Sequence, residues 1–236
     1  MLERITRLLR RNGGPHALRP RDGYALWADN YPPRPHNVLM QAEQSVVEPM
    51  LVAAAAQCRR TPRALDVGTG TGRYVPLLEA AGARVIVGID LSLEMLGHNE
   101  SRRPKVCGDA CHLPFPDRSF DLVCSSLMTG DVEDLGAWIR EAARVLAPGG
   151  HLVYSDFHPS WNVERWRRTF TTSDGRELEL SYFPHSIDEH LSHIGSEPLH
   201  IRSIREPRIA VKGRLRPVVV VFQAVKPCQP VAFDRC

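Results

Sequence analysis

Leu65-Asp66-Val67-Gly68-Thr69-Gly70-Thr71-Gly72 places an acid and three alternating glycines where a buried strand gives way to a helix. Glycine-rich turns that hold pyrophosphate use backbone N–H groups and the positive end of a helix dipole, so a fixed carboxylate beside them opposes a phosphate. The dinucleotide fingerprint G-x-G-x-x-G would also need glycine at position 73, where this chain has Arg73. The turn suits a ligand that carries its own positive charge. Gly68 and Gly70 would let that ligand approach the backbone closely.

Working outward, short β-rich runs alternate with helical periodicity, the pattern of a parallel sheet covered by helices on both faces. Residues 64–67 form the first expected strand, 72–81 a helix stopped by Gly82, and 84–90 a nearly all-apolar second strand. Ser92 caps a short helix through Met95, and strands follow at 105–107 and 120–125. Leu135, Trp138, Ile139, Ala142, Val145 and Leu146 recur at three- and four-residue spacing, which predicts an amphipathic helix over 134–147 ended by Pro148-Gly149-Gly150. Strands at 151–157, 199–205 and 218–225, with a helix over 187–194, complete the expected set. The fold class is α/β, a Rossmann-like seven-stranded, mostly parallel sheet.

Two additions frame this sheet. The first, residues 1–57, holds the aromatic segment Tyr24-Ala25-Leu26-Trp27-Ala28-Asp29-Asn30-Tyr31 and a helical region from Asn37 that Pro49 should interrupt or bend. The second, residues 157–185, is rich in aromatics (Trp161, Trp166, Phe170, Tyr182, Phe183) and histidines, with Ser173-Asp174-Gly175 as a hairpin turn. Both should cover the carboxyl ends of the strands, where α/β folds bind ligands. The expected division is therefore an arm and helical lid over 1–57, a ligand-binding domain over 58–226 with the 157–185 insertion, and a tail over 227–236.

At 236 residues, with 43% hydrophobic and 24% charged content, the chain can bury one sizeable core. A net charge of +3 is too weak a bias to argue for nucleic acid. Arg4, Arg7, Arg10, Arg11, Arg19 and Arg21 make the start locally basic. That run reads as a solvated arm, with docking to an acidic partner or membrane surface through Leu2, Ile5, Leu8 and Leu9 as the alternative. The apolar run 218–222 is far short of the roughly 20 residues that span a bilayer, so no membrane insertion is expected. Six scattered cysteines without a C-x-x-C pair or secretory leader point to the cytoplasm.

The second chemical element is Asp90, ending Val85-Ile86-Val87-Gly88-Ile89. An acid at that strand end can accept both hydroxyls of a ribose, or simply cap the following turn. The third is Gly108-Asp109-Ala110, followed by Leu113-Pro114-Phe115-Pro116-Asp117, where a carboxylate and the next N–H could meet the edge of an adenine.

Together LDVGTGTG, IDLS with Met95 following, GDACHLPFPDRSFDLV and REAARVLAPGGHLVYSD resemble the class I S-adenosylmethionine-dependent methyltransferases. The likeness is to the branch that includes the ubiquinone, menaquinone and biotin biosynthesis enzymes, and it runs from Tyr24 to Phe157. It implies S-adenosylmethionine as cofactor and an antiparallel last strand. Asp66 and the loop of Gly68, Thr69, Gly70 and Gly72 would hold the methionine end. Asp90 would bind the ribose, Leu91 and Met95 would pack the adenine, and Asp109 with Ala110 would read its amino edge. Ser125 and its neighbours would line the methionine side, while Tyr24 and Tyr31 belong to the aromatic segment that closes over the cofactor. The partner would be a small or carrier-linked organic acceptor. Oligomeric state is left open.

One departure bears on chemistry. Relatives commonly carry histidines after strand four, whereas this chain reads Leu127-Met128-Thr129-Gly130-Asp131-Val132-Glu133-Asp134. Asp131 is thus a candidate base or a helix-approach acid. His158, at the tip of the fifth strand, is the other base candidate, because an imidazole titrates near neutrality. His185, His190 and His193 with Asp188 are expected as a solvated histidine-rich surface rather than a metal site. Two rival readings remain at this point. One is a nicotinamide-dependent oxidoreductase, opposed by the glycine spacing and Asp66, and the other a cofactor-binding regulator that transfers no methyl group.

Overall fold

The structure, a computed structural model, describes residues 17–160, 168–211 and 213–228. The basic leucine face at the start, Trp161, Trp166 and Cys236 lie outside the described residues.

Seven strands form one sheet: β1 (Arg63–Val67), β2 (Val85–Asp90), β3 (Lys105–Cys107), β4 (Phe120–Ser125), β5 (Leu146–Phe157), β8 (His200–Arg205) and β11 (Val219–Val225). Their order is β3-β2-β1-β4-β5-β11-β8. Neighbours from β3 to β5 are parallel, while β11 runs antiparallel to both β5 and β8. The order reverses between β1 and β4, and a crevice opens there at the carboxyl ends of the strands.

Period-two alternation divides the core between the two faces. Leu65, Val67, Val123, Leu152, Tyr154, Val220 and Phe222 pack with α5 (Leu135–Val145) on one side. Ala64, Ile86, Leu122, Val153, Val219 and Val221 pack on the other with α2 (Val38–Ala56) and α3 (Val75–Ala80). A further short helix, α4 (Leu93–Gly97), begins at the expected cap, where the Ser92 hydroxyl accepts from the Met95 N–H at 3.2 Å.

Three local expectations shift. The helix expected over 72–81 shortens to α3, because 69–75 is wound into turns (Gly72 N to Thr69 O, 2.8 Å) and Pro76 sets the helix start. Pro49 does not interrupt α2: burial of Met40, Glu43, Val47, Leu51 and Ala54 along one stripe carries the helix through it. The helix expected over 134–147 ends at Val145, two residues earlier, and Pro148-Gly149-Gly150, expected as its stop, is absorbed into β5. The ladder there skips from Phe120–Leu146 to Leu122–His151.

The additions are ordered around two hairpins. β6 (Arg168–Thr171) and β7 (Glu177–Leu180) are antiparallel and turn at the expected Ser173-Asp174-Gly175. β9 (Arg208–Val211) and β10 (Arg214–Pro217) form a second hairpin that the sequence reading did not anticipate. The N-terminal segment, with α1 (Pro20–Trp27), is stitched to the first hairpin: Leu18 N donates to Glu179 O at 2.7 Å and Ser181 N to Leu18 O at 2.8 Å. A helix α6 (Ile187–Gly195) follows, begun by a Ser186–Glu189 capping box. No helix among the described residues is long and apolar enough to cross a membrane.

Candidate active site

A cavity of about 940 Å³ lies over the carboxyl ends of β1, β2 and β4, beneath the N-terminal segment and the β6–β7 hairpin. Its floor is the glycine loop. Gly68 N and Thr69 N both donate to Ile89 O, at 2.8 and 3.0 Å, so the loop is clamped to β2. Gly68 has φ +72°, and a Cβ there would stand 2.6 Å from Met128 Cγ. Gly70, at φ +49°, leaves room that a Cβ would fill 3.0 Å from Met95 Cε. Backbone exposed by missing side chains is what a cradle for a bound group requires.

One buried and one half-buried carboxylate, Asp66 and Asp90, flank this floor. Asp66 ends β1, accepts the Thr69 hydroxyl at 2.7 Å, and has Cys124 Sγ at 3.6 Å. Burial pushes its carboxyl up to about 6, against the lowering effect of the Thr69 and Cys124 bonds. Asp90 ends β2; its Oδ2 accepts from Gly70 N at 2.7 Å and its Oδ1 from Ser92 N at 2.9 Å. Burial lifts it also to about 6, opposed by the Ser92 and Gly70 N–H groups. The capping reading of Asp90 is realised, since it holds the turn, and the residue also lines the cavity.

Leu91, Met95, Asp109 and Ala110 line the same end of the cavity. Met95 is buried and Leu91 is 44% exposed. Asp109 spends Oδ1 on the Cys111 N–H, at 2.8 Å. Thr69 and Gly70 also line the cavity, but two of the residues predicted for the cofactor do not. Gly72 faces the Asn99 side chain instead, 2.6 Å from where its Cβ would be. Ser125 is buried beneath the loop, and its neighbours Ser126, Leu127 and Met128 provide the lining. Those neighbours belong to the same expectation; Ser125 itself is the member that the cavity does not reach.

The roof is aromatic. Trp27 stacks on Phe170 at 5.0 Å and meets Tyr31 edge-on at 4.8 Å, with Tyr24 stacked on Trp27 at 5.9 Å. Tyr24 and Tyr31 line the cavity as expected, and burial raises both hydroxyls above the ordinary tyrosine range.

Asp131 lies under this roof, buried and facing the cavity. Arg168 donates to both of its oxygens and to the Tyr24 oxygen, and the Tyr24 hydroxyl donates to Asp131 Oδ2 at 3.1 Å. Burial raises the Asp131 carboxyl, and Arg168 opposes this without overcoming it. His158 does not line the cavity. Its Nε2 lies 2.8 Å from Glu206 and its Nδ1 2.8 Å from Ser160 Oγ, on the side of the β9 approach.

Of the three histidines expected as a solvated surface, His185 and His190 are buried instead. His190 is fully buried, with Nδ1 3.1 Å from the Tyr154 hydroxyl and Nε2 3.2 Å from Asp156 Oδ2. His185 is buried against Val132 O at 2.8 Å. The α6 face that carries His190 packs inward on β5, a contact that periodicity within one helix could not show. No group of three metal-ligating side chains occurs among the described residues.

Sequence reasoning missed Glu43, Arg168 and the role of Arg73. Glu43 was visible as a lone acid on the apolar stripe of Met40, Val47 and Leu51. Arg168 gave no local signal, because Asp131 and Tyr24 are distant in the chain.

Comparisons with known proteins agree with this architecture. Residues 65–154 match the family described as a methyltransferase domain. The demethylmenaquinone methyltransferase of Mycolicibacterium gilvum is 41% identical over 109 residues, 46% of this chain and 47% of that enzyme. The biotin biosynthesis bifunctional protein BioHC of Cellvibrio japonicus is 37% identical over 126 residues, 52% of this chain and 25% of that protein. The aligned region thus spans about half the length of the first of these relatives and a quarter of the second. A solved S-adenosylmethionine dependent methyltransferase from Mesorhizobium loti superposes with a TM-score of 0.58 at 23% identity, over 73% of this chain and 95% of that one. The [4+2]-cyclase SpnF superposes with a TM-score of 0.62 at 18% identity, over 92% of this chain and all of that one. These structural likenesses are of fold. Residues 65–154 are thus similar in sequence to a methyltransferase domain, and the sheet shares the fold of the solved S-adenosylmethionine dependent methyltransferase.

Proposed function

We propose that this domain binds S-adenosylmethionine and transfers its methyl group to a small or carrier-linked organic acceptor. The observation that carries this reading is the pair Asp66 and Asp90, a buried and a half-buried carboxylate at neighbouring strand tips on either side of a glycine floor, in one cavity. An ammonium and a ribose suit two such acceptors, and the positive-φ glycines leave the approach clear. When bound, the cofactor supplies a methyl group activated on a sulfonium centre.

In this reading Asp66 accepts from the ammonium and Asp90 from the ribose hydroxyls. Leu91 and Met95 pack the adenine, with Asp109 and Ala110 at its edge. The Trp27, Tyr31 and Tyr24 rings exclude water and present faces that tolerate a cationic centre. Asp131 is the group placed to hold a proton leaving the acceptor: it faces the cavity, burial raises its proton affinity, and Arg168 with Tyr24 fixes its orientation. His158 has no part in the chemistry. The rest of the notional division, a lid over 1–57 and an insertion over 157–185, supplies the acceptor pocket, and the cytoplasm is the proposed compartment.

The relatives' names suggest the acceptor classes to try, a quinol and a carrier-bound acid. Calorimetry with S-adenosylhomocysteine, followed by transfer of labelled methyl from S-adenosylmethionine to each class, tests the proposal. Micromolar binding with turnover on one class is expected. Absence of binding would end it, and binding with no transfer to either class would leave the regulator reading in its place.

A further inference from the structure

One short stretch outweighs the chain's entire excess of positive charge. Residues 200–216 hold six lysines and arginines against the single acid Glu206, whereas the whole chain carries 30 basic and 27 acidic side chains. Outside that stretch acids outnumber bases. Arg202 and Arg205 lie on β8, the edge strand of the sheet, and Arg208 and Arg214 on the β9–β10 hairpin; all four are exposed. Glu206 meets the His158 ring at 2.8 Å.

The hairpin register sorts its side chains. Ala210 pairs with Leu215 and Arg208 with Pro217, so these four share one face. On the opposite face Ile209 packs into the core cluster that holds Val47 and Leu51 of α2, which fixes how the hairpin is turned. Leu215 is left 68% exposed, the most exposed large hydrophobic side chain among the described residues. Arg214 and Arg216 flank it in sequence.

The sheet places this hairpin beside the cavity. β11 begins at Val219, which pairs with Phe157, a residue of the cavity wall. His158 N donates to Val218 O at 3.1 Å, and Val218 N to Pro207 O at 3.1 Å. The hairpin thus springs from the carboxyl edge of the sheet, over which the cavity opens. Val38, at the start of α2, lines that cavity and is 61% exposed.

Exposed arginines around an uncovered leucine suit a bilayer with anionic headgroups, where the cations meet phosphates and the leucine enters the acyl boundary. A nucleic acid would take the charge and leave the leucine in water. We propose that the β9–β10 hairpin, with Arg202 and Arg205 of the adjoining β8 edge, docks the protein on an anionic membrane surface with the cavity beside the lipid. An acceptor dissolved in that lipid then reaches the cavity without crossing bulk water. That consequence rests on the methyltransferase reading above; the docking does not.

Co-sedimentation of the full chain with vesicles of phosphatidylcholine alone, and of phosphatidylcholine mixed with phosphatidylglycerol, tests the docking. Binding should need the anionic lipid and weaken as salt rises. Arg208→Gln combined with Arg214→Gln should weaken it by about twentyfold, at about fivefold for each cation lost. Leu215→Ser should weaken it by about tenfold through the lost apolar contact. These variants should bind S-adenosylhomocysteine as wild type does. In wild type, amide hydrogen exchange over 208–217 should slow on the anionic vesicles alone, which reads the hairpin even if a variant fails to fold. Equal binding to both vesicle types, variants that bind like wild type, or slowed exchange confined to the basic start of the chain would overturn the docking. Retention on immobilised polyglutamate without vesicle binding would overturn it too and assign the hairpin to an acidic protein. A wild type that binds anionic vesicles but no S-adenosylhomocysteine would keep the docking and end the methyltransferase reading.

Discussion

Arg168 of the inserted hairpin and Asp131 of the loop after β4 meet side by side, with Nη2 3.2 Å from Oδ2 and Nη1 on the other oxygen. Both side chains are buried, so neither charge has water to fall back on. Removing one partner strands the other, and Asp131→Ala should lower stability by about 3 kcal/mol or more. Tyr24→Phe, which removes one hydroxyl from the same cluster, should lower it by about 1 kcal/mol. Urea unfolding reads both. An Asp131→Ala midpoint equal to that of wild type would mean the pair does not secure the roof.

Asp131→Asn keeps the shape of that cluster and removes its capacity to take a proton. Turnover should fall by about a hundredfold while cofactor affinity stays level, the split expected of a group that acts on the acceptor alone. Equal losses in both would place Asp131 in cofactor binding instead.

Asp66 and Asp90 each titrate near 6 in the free protein, raised by burial. Their ionised forms attract an ammonium and accept more strongly from hydroxyls, and a bound cation pulls Asp66 downward. Affinity for S-adenosylmethionine should therefore be level above about pH 7 and decline as pH falls through 6, by up to about tenfold per unit for each group that must ionise. Near pH 6, binding should release protons, seen as a heat that varies with the ionisation enthalpy of the buffer. A flat affinity profile down to about pH 5 would contradict this assignment.

The parts of the site written in one stretch of chain were legible. Asp66, the glycines, Asp90 and Asp109 each close a local pattern, and strand alternation put them at one sheet edge. What stayed hidden is assembled across the chain. Glu43 gathers donors from Arg73, Tyr74, Ser126 and Ser155, and His190 finds Tyr154 and Asp156 through helix packing. A buried acid on an apolar helical stripe announces a need for donors without saying where they come from. His158 misled for the opposite reason: a strand tip points to the cavity in general, but this imidazole turns toward Glu206.

Gly68→Ala should be poorly tolerated. The backbone there is at φ +72°, and the new methyl would meet Met128 at 2.6 Å. Left-handed backbone alone costs about 1–2 kcal/mol for an L-residue, and the displaced Met128 would intrude on the floor. Thermal unfolding should show the loss of stability, and calorimetry at least a tenfold loss of cofactor affinity by the same reasoning. A variant that binds normally would remove the glycine floor from the site.

His158→Ala should leave turnover within about twofold of wild type, since the ring makes no cavity contact. Loss of its contact with the partly exposed Glu206 should lower stability by about 0.5–1 kcal/mol. A collapse of turnover at native stability would return the imidazole to the chemistry.

The backbone stitch between Leu18 and the residues flanking Leu180 makes the cavity's two covers one piece. Trp27 on Phe170 and the Asn30 side chain on Thr171 O fasten the same seam. A roof joined this way has no separate doors for its two occupants. Any opening of that roof must carry both covers together, because their backbones are hydrogen-bonded to each other.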